Sequence, residues 1–185
     1  MNNAIMLDLE TLSTKNDAMI VSIGAVAFDT EMRRIDPDNF YSAIKLESAT
    51  GHISTDTVRW WMAQSDEARA VFSAQETTSE ALALLDFDAW IRAVIPVESQ
   101  ESVTVWSNGA SFDCVVLRNA YERNGYIPPW KWYNDRCYRT YMRTFEHHLD
   151  GTAVQCGVAH NALDDAQYQA ERLLELMGYV EMRLF

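Results

Sequence analysis

Apolar residues follow two different patterns along this chain. From residue 4 to about residue 46 they come in short β-branched runs divided by polar turns. Ile5-Met6-Leu7-Asp8-Leu9-Glu10-Thr11 is an apolar strand that carries two carboxylates near its end. Ala18 to Asp29 predicts a long central strand. Asp36-Pro37-Asp38 signals a turn, and Phe40 to Leu46 predicts a third strand. Short polar connections make these three an antiparallel meander.

From Ser54 the spacing becomes helical. Ser54-Thr55-Asp56 offers an N-cap to a helix over 57–64, with Val58, Trp61 and Met62 on one side. Helices over 66–72 and 79–94 follow, the second stopped near Pro96. Ser102 to Ser107 predicts a further buried strand, and Asn108 to Asp113 a tight turn opening a helix through Arg123. After an aromatic, proline-bearing loop over 126–133, helical character returns over 135–148, and 151–159 reads as a loop. Leu163 to Met177 is amphipathic, with Ala166, Ala170, Leu173 and Leu174 in its apolar stripe and Gly178 as its stop. This order places the chain in the α/β class, as one domain over residues 1–185 with a mixed sheet flanked by helices. Tandem Trp60-Trp61 lie about 100° apart on a helix. At most one can face a ligand, and core packing is the favoured role for the pair.

The strand pattern raises a question of charge. Side chains alternate along a strand, so Asp8 and Glu10 project to the same side. Two like charges side by side raise the energy of the fold unless a cation sits between them. Composition narrows the possibilities. The formal net charge of −12 excludes a protein that coats long nucleic acid by electrostatics alone. It leaves room for an enzyme that acts at a strand end, because carboxylates that hold metals inflate the negative count. Cys114, Cys137 and Cys156 form no C-x-x-C, which argues against a disulfide framework or a thiolate zinc site. With no run of about 20 apolar residues and no secretory pattern, a cytoplasmic protein without a membrane partner is expected.

Carboxylates also stand at two further element ends, Asp113 and the turn His160-Asn161-Ala162-Leu163-Asp164-Asp165. Taken singly, Asp113 reads as a helix cap, Asp164-Asp165 as a solvated first turn, and His160 as a loop histidine. Together they suggest a site. If the strands before Asp8 and Asp113 are neighbours, their carboxylates can converge, and a helix packed on that sheet can add Asp165. Oxygen ligands suit Mg²⁺ or Mn²⁺. Two such ions can drive a phosphodiester displacement. His160 and Asp165 would point about 140° apart inside one helix. His160 is therefore placed on the preceding loop, where an imidazole can take a proton from water.

Asp8-Leu9-Glu10, Asn108-Gly109-Ala110-Ser111-Phe112-Asp113 and His160-Asn161-Ala162-Leu163-Asp164-Asp165-Ala166 resemble the three motifs of the DEDDh 3′→5′ exonucleases. That superfamily has the ribonuclease H-like fold and includes proofreading exonucleases, oligoribonuclease and ribonuclease T. Ile20 to Val26 and Thr57 to Gln64 are similar to small bacterial and bacteriophage members, among them a mycobacterial exoribonuclease. The resemblance implies two divalent metal ions, Mg²⁺ or Mn²⁺, on Asp8, Glu10, Asp113 and Asp165, with His160 as general base. Asp164 falls outside the metal positions and reads as a helix-start charge. The same likeness points to Thr11, Leu12, Asn108 and Phe112 as substrate contacts, Leu12 and Phe112 against the terminal base.

The expected activity is release of nucleoside 5′-monophosphates from the 3′ end of a single-stranded nucleic acid. Two alternatives stand beside it: an enzyme restricted to very short oligonucleotides, and a non-catalytic nucleic-acid-binding module of the same fold. DNA and RNA both remain open, as do a monomer and a homodimer. Arg136, Arg139 and Arg143 share helical spacing and are either phosphate guides or a solvated face.

Overall fold

The computed structural model describes residues 1–145 and 157–184. Its centre is β1 (Ala4–Thr11), paired antiparallel with β2 (Ile20–Asp29), which pairs antiparallel with β3 (Arg34–Ala43). This is the expected meander. On the other side of β1 lies β4 (Thr104–Ser107), parallel to it, and beyond that a short parallel β5 (Asp135–Cys137). The sheet order is β3-β2-β1-β4-β5.

Helices cover both faces. α1 (Thr55–Met62), α2 (Asp66–Arg69), α3 (Glu80–Val94), α4 (Asp113–Arg123), α5 (Tyr138–Phe145) and α6 (Ala162–Leu184) follow in chain order. Alternation along β1 decides which residue meets which layer. Ile5, Leu7 and Leu9 pack with Leu84, Phe87 and Ile91 of α3 and with Val116, Leu117 and Tyr121 of α4. Ala4 and Met6 point the other way, into Val26, Phe28, Tyr138 and the α6 stripe Ala166, Ala170, Leu173 and Leu174. Each fully buried Leu, Ile, Val, Phe or Met among them contributes about 1.5–3 kcal/mol on burial. Asp8 and Glu10 continue the Met6 row, so the same face that holds α6 delivers both carboxylates to its first turn. A third cluster of Leu12, Val21, Trp61 and Ala68 closes the end of the meander under α1 and α2.

Three expectations are corrected. Asp36-Pro37-Asp38 is not a turn between strands, because β3 starts at Arg34 and runs through it. β3 is the sheet edge, where a proline that lacks a donor is tolerated. Its pairing with β2 slips between Val26 and Phe28, and the Asp38 N–H bonds to Asp36 Oδ1 at 2.9 Å. Residues 135–137 are strand rather than helix. Asp135 is held by Arg118 at 2.5 Å and by Trp130 Nε1 at 2.9 Å, contacts that no local pattern displays. The remainder of that segment, 146–148, lies outside the described residues, as does most of the predicted loop, 151–156. Gly178 does not stop α6, which continues to Leu184. A Cβ there would stand 2.4 Å from Arg33 Nη1, so the glycine accommodates the arginine.

Among the described residues no helix is long and apolar enough to cross a membrane.

Gly24 faces Asp8 across the β1–β2 ladder. A Cβ on it would lie 2.2 Å from the Ala162 carbonyl carbon and 2.3 Å from the Leu163 nitrogen. Backbone cannot yield at that distance, so Gly24→Ala must push the start of α6 off the sheet. The expected loss of stability is about 1–3 kcal/mol, the range for overpacking, measured by urea unfolding. A variant as stable as the parent would show that the contact is not needed.

Candidate active site

Three elements meet at the end of β1. Leu7 pairs with Ser107 in the parallel β1–β4 ladder, so the chain leaving β4 emerges beside Asp8. It turns at Gly109, whose φ of +124° suits a residue without Cβ, and the Phe112 N–H closes the turn on the Gly109 carbonyl at 2.7 Å. α4 then begins with Asp113, only 5% exposed. Glu10 is 7% exposed.

The third element is the first turn of α6. Asn161 Oδ1 accepts the Leu163 and Asp164 N–H groups at 3.1 and 3.2 Å, an N-cap. Asp164 turns back to the incoming loop and accepts the Val158 N–H at 2.7 Å. It packs against Gly157, where a Cβ would meet Asp164 Cγ at 2.6 Å. Asp164 is thus a fastener at the helix start, as its motif position implied. Asp165 points inward and accepts the His160 N–H at 3.2 Å. His160 stands on the loop before α6 with φ +65°, an uncommon conformation for a side-chain-bearing residue. Its ring meets Trp60 edge to face at 4.8 Å and Trp61 at 6.3 Å. Ligand atoms of Glu10, His160 and Asp165 all lie within 4.8 Å of one another. Asp8, beside them, accepts a hydrogen bond from Gln169 Nε2 at 2.9 Å.

Burial of so many carboxylates shifts their protonation. Glu10 is pushed up to about 9, by burial first and then by Asp8, Asp165 and Asp113. Burial and the Asp113 charge hold Asp8 well above the usual carboxylate range. Asp113 rises to about 7 through burial, against the pull of hydrogen bonds at its own backbone, Ser107 and Leu9 and of the Arg139 charge. At neutral pH the cluster therefore retains protons that a divalent cation would displace. Several carboxylates with an imidazole at the rim make a hard donor set that fits Mg²⁺ or Mn²⁺.

Beside Glu10 opens a cavity of about 450 Å³, lined by Thr11, Ser54, Trp60, Trp61 and Phe112 among others. The tandem tryptophans divide: Trp61 packs in the core as favoured, 3% exposed and donating Nε1–H to the Thr11 carbonyl at 2.9 Å, while Trp60 departs from that expectation at 44% exposure. Of the expected substrate contacts, Thr11 and Phe112 line the cavity. Leu12 is buried in the cluster under α1 and does not. Asn108 lies on the other flank, where its carbonyl oxygen accepts from Arg139 Nη2 at 2.8 Å. Arg136 instead bonds the Tyr133 and Asp135 carbonyls. Gln169 was missed in the sequence, although its i+4 spacing from Asp165 places both on one helix face.

Residues 3–177 match the Rv2179c-like 3′-5′ exoribonuclease domain. The chain belongs to that family. An exodeoxyribonuclease of Enterobacteria phage T4 is 29% identical to it over 159 residues, covering 73% of this chain and 68% of the phage protein. Among solved structures, the nuclease domain of 3′hExo, a DEDDh family member bound to rAMP, is similar with a TM-score of 0.63 at 11% identity, over 96% of this chain and 92% of that one. Exonuclease X in complex with 5′ overhanging duplex DNA gives 0.58 at 15%, over 95% and 91%. Cell-death related nuclease 4 gives 0.62 at 15%, and there the chain covers 97% of itself but spans only 64% of the relative. The mixed sheet with its flanking helices is the ribonuclease H-like fold of these exonucleases. Family membership places the chain among 3′→5′ exonucleases, which are hydrolases.

The raised carboxylates make the metal-free fold sensitive to pH. Folding binds protons that the unfolded chain releases, so this stabilising contribution is present at low pH. It is lost as pH rises through the folded-state values, about 7 for Asp113 and about 9 for Glu10. The melting temperature of protein stripped with chelator should fall between pH 6 and pH 9, and Mn²⁺ should raise it most at the alkaline end. A flat profile in both conditions would remove the metal reading of this cluster.

Proposed function

We propose that this chain removes nucleoside 5′-monophosphates one at a time from the 3′ end of a single-stranded nucleic acid. Asp8, Glu10, Asp113 and Asp165 hold two divalent ions, Mg²⁺ or Mn²⁺, and His160 is the general base. The convergence of Glu10, Asp165 and His160 within 4.8 Å, beside an aromatic-walled cavity, carries this reading. Bound there, the ions supply Lewis-acid polarisation of the phosphodiester and a lowered pKa for the attacking water.

The remaining work falls to the chain. His160 accepts a proton from the attacking water at its imidazole nitrogen. Asp165 holds the backbone of His160, and Trp60 holds the ring, so the base is oriented before substrate arrives. A bond forms between the water oxygen and phosphorus. The bond to the 3′ oxygen of the penultimate nucleotide breaks, that oxygen takes a proton from solvent water to leave as the 3′-hydroxyl, and His160 returns its proton to solvent. Trp60 and Phe112 offer faces to the terminal base, with Thr11 near the sugar. Arg139, tied to Asn108 and close enough to Asp113 to lower its pKa, offers its guanidinium to a phosphate at the rim.

A single-stranded end suits this protein because stacking supplies affinity that a net charge of −12 withholds. The same acidity favours short substrates as a second reading, since a dinucleotide needs no basic track. The family model carries an exoribonuclease name and the phage relative an exodeoxyribonuclease name, so matched DNA and RNA strands both belong in the assay. Free thiols at Cys114 and Cys137 suit the reducing cytoplasm.

Digestion of 3′-labelled single strands of two to twenty nucleotides with Mn²⁺ tests the assignment. Asp165→Ala and His160→Ala should each lower the rate by about a hundredfold or more while the proteins still melt cooperatively. Full activity in either variant would overturn this chemistry, and a parent that digests neither strand would leave a non-catalytic binding module. Trp60→Ala should raise KM by about fivefold or more, the loss expected for one stacked base. An unchanged KM would remove Trp60 from the substrate wall.

A further inference from the structure

Gln169 is 6% exposed on α6, one turn beyond Asp165. Its neighbours on that helix, Ala166, Ala170 and Leu173, are all buried in the core. One end of its amide is used: Nε2 donates to Asp8 Oδ1 at 2.9 Å. The other end is not, because Oε1 is buried with no hydrogen-bond partner among the described residues. Reversing the amide would set oxygen against the Asp8 carboxylate, acceptor against acceptor, which is worse once Asp8 is ionised. A buried acceptor without a partner destabilises a fold, and an aliphatic side chain at this position would avoid the penalty. Packing therefore gives no reason for an amide here. The bond to Asp8 does.

Asp8 has particular need of that bond. Asp113 is surrounded by donors at Ser107 and Leu9 and by the Arg139 charge. Asp165 is tied to the His160 backbone. Asp8 is pressed by both Asp113 and Asp165, and the Gln169 amide is the group that opposes them. A carboxylate among like charges turns away unless a donor holds one of its oxygens. With Oδ1 held, the plane of the carboxylate is set and Oδ2 remains for a ligand.

We propose that Gln169 is the positioning residue for Asp8: its amide orients the carboxylate for a divalent cation and so sets the affinity of the site. This rests on the reading above that Asp8 is a metal ligand. The hydrogen-bonded partners of metal ligands commonly change affinity by about 10- to 100-fold when removed.

Mn²⁺ titration calorimetry on the full chain tests it, with Gln169→Met, close in size but without a donor, and Gln169→Asn, an amide too short to reach. Both variants should bind Mn²⁺ about 10- to 100-fold more weakly. Their metal-free melting temperatures should stay within about 3 °C of the parent. In the digestion assay both should need correspondingly more Mn²⁺ for half-maximal rate, and KM for the oligonucleotide at saturating Mn²⁺ should hold within about twofold. Unchanged Mn²⁺ affinity in both variants, with normal binding by the parent, would overturn the role of Gln169 and leave the proposed function intact. Metal-free melting temperatures that fall in step with affinity would overturn it in favour of packing. A parent that binds no Mn²⁺ would overturn the metal reading itself, and this inference with it.

Discussion

Where α6 lands on the sheet, backbone lies directly on backbone. The Ala162–Leu163 peptide rests against the bare Cα of Gly24, a contact that admits no side chain. Gly24 is the residue that faces Asp8 across the ladder. One close approach therefore sets how near the first turn of α6 comes to the carboxylate strand, and with it the positions of His160, Asp165 and Gln169. The Asn161 cap and the Asp164 fastener stop the turn from fraying at that point. Below it, the Ala166–Leu174 stripe anchors the helix to Met6, Val26 and Phe28. The helix cannot retreat without exposing that core.

The site is locally unfavourable and the fold around it is not. Carboxylates meet where burial, and for Asp8 and Glu10 the neighbouring charges too, raises the pKa of three of them. Apolar packing on both sides of β1 holds the strand in place regardless, and on the proposed function the excess of negative charge would serve to hold cations. His160 fits the same logic. Its left-handed backbone is strained, and it is kept there by Asp165 on one side and by the tryptophans of α1 on the other. Trp60 joins two parts of the site, since one ring forms a wall of the cavity and also borders the histidine.

A net charge of −12 gives nucleic acid no overall attraction to this protein. On the proposed function, the aromatic faces at the cavity and the Arg139 guanidinium at the Asn108 turn would supply attraction locally, where a strand end would lie. In that reading a terminal base meets tryptophan, and stacking offsets the unfavourable net charge.

Much of this was legible in the residues themselves. Period-two and helical spacing located the meander, β4, α4 and α6, because those elements bury one face and show it in their pattern. Asp8, Glu10, Asp113, Asp165 and His160 stood out because carboxylates at the ends of apolar elements are locally anomalous. The edge strand through Pro37, the three residues of β5 and the continuation of α6 past Gly178 were not legible. Each turns on a contact outside its own segment: the pairing of β3 with β2 at the open edge, Asp135 with Arg118 and Trp130, and the Arg33 side chain packed over Gly178. Leu12 was expected at the substrate and lies in the core, because alternation along β1 does not show where the chain bends after Thr11. The sequence by itself determined the chemistry of the donor set and the element that carries each donor, since side-chain identity and periodicity are local. Only the tertiary structure decided the distances between them, the tryptophan wall beside His160 and the amide on Asp8. Those are set by how closely two backbones approach at Gly24, a property of packing that no stretch of the chain holds alone.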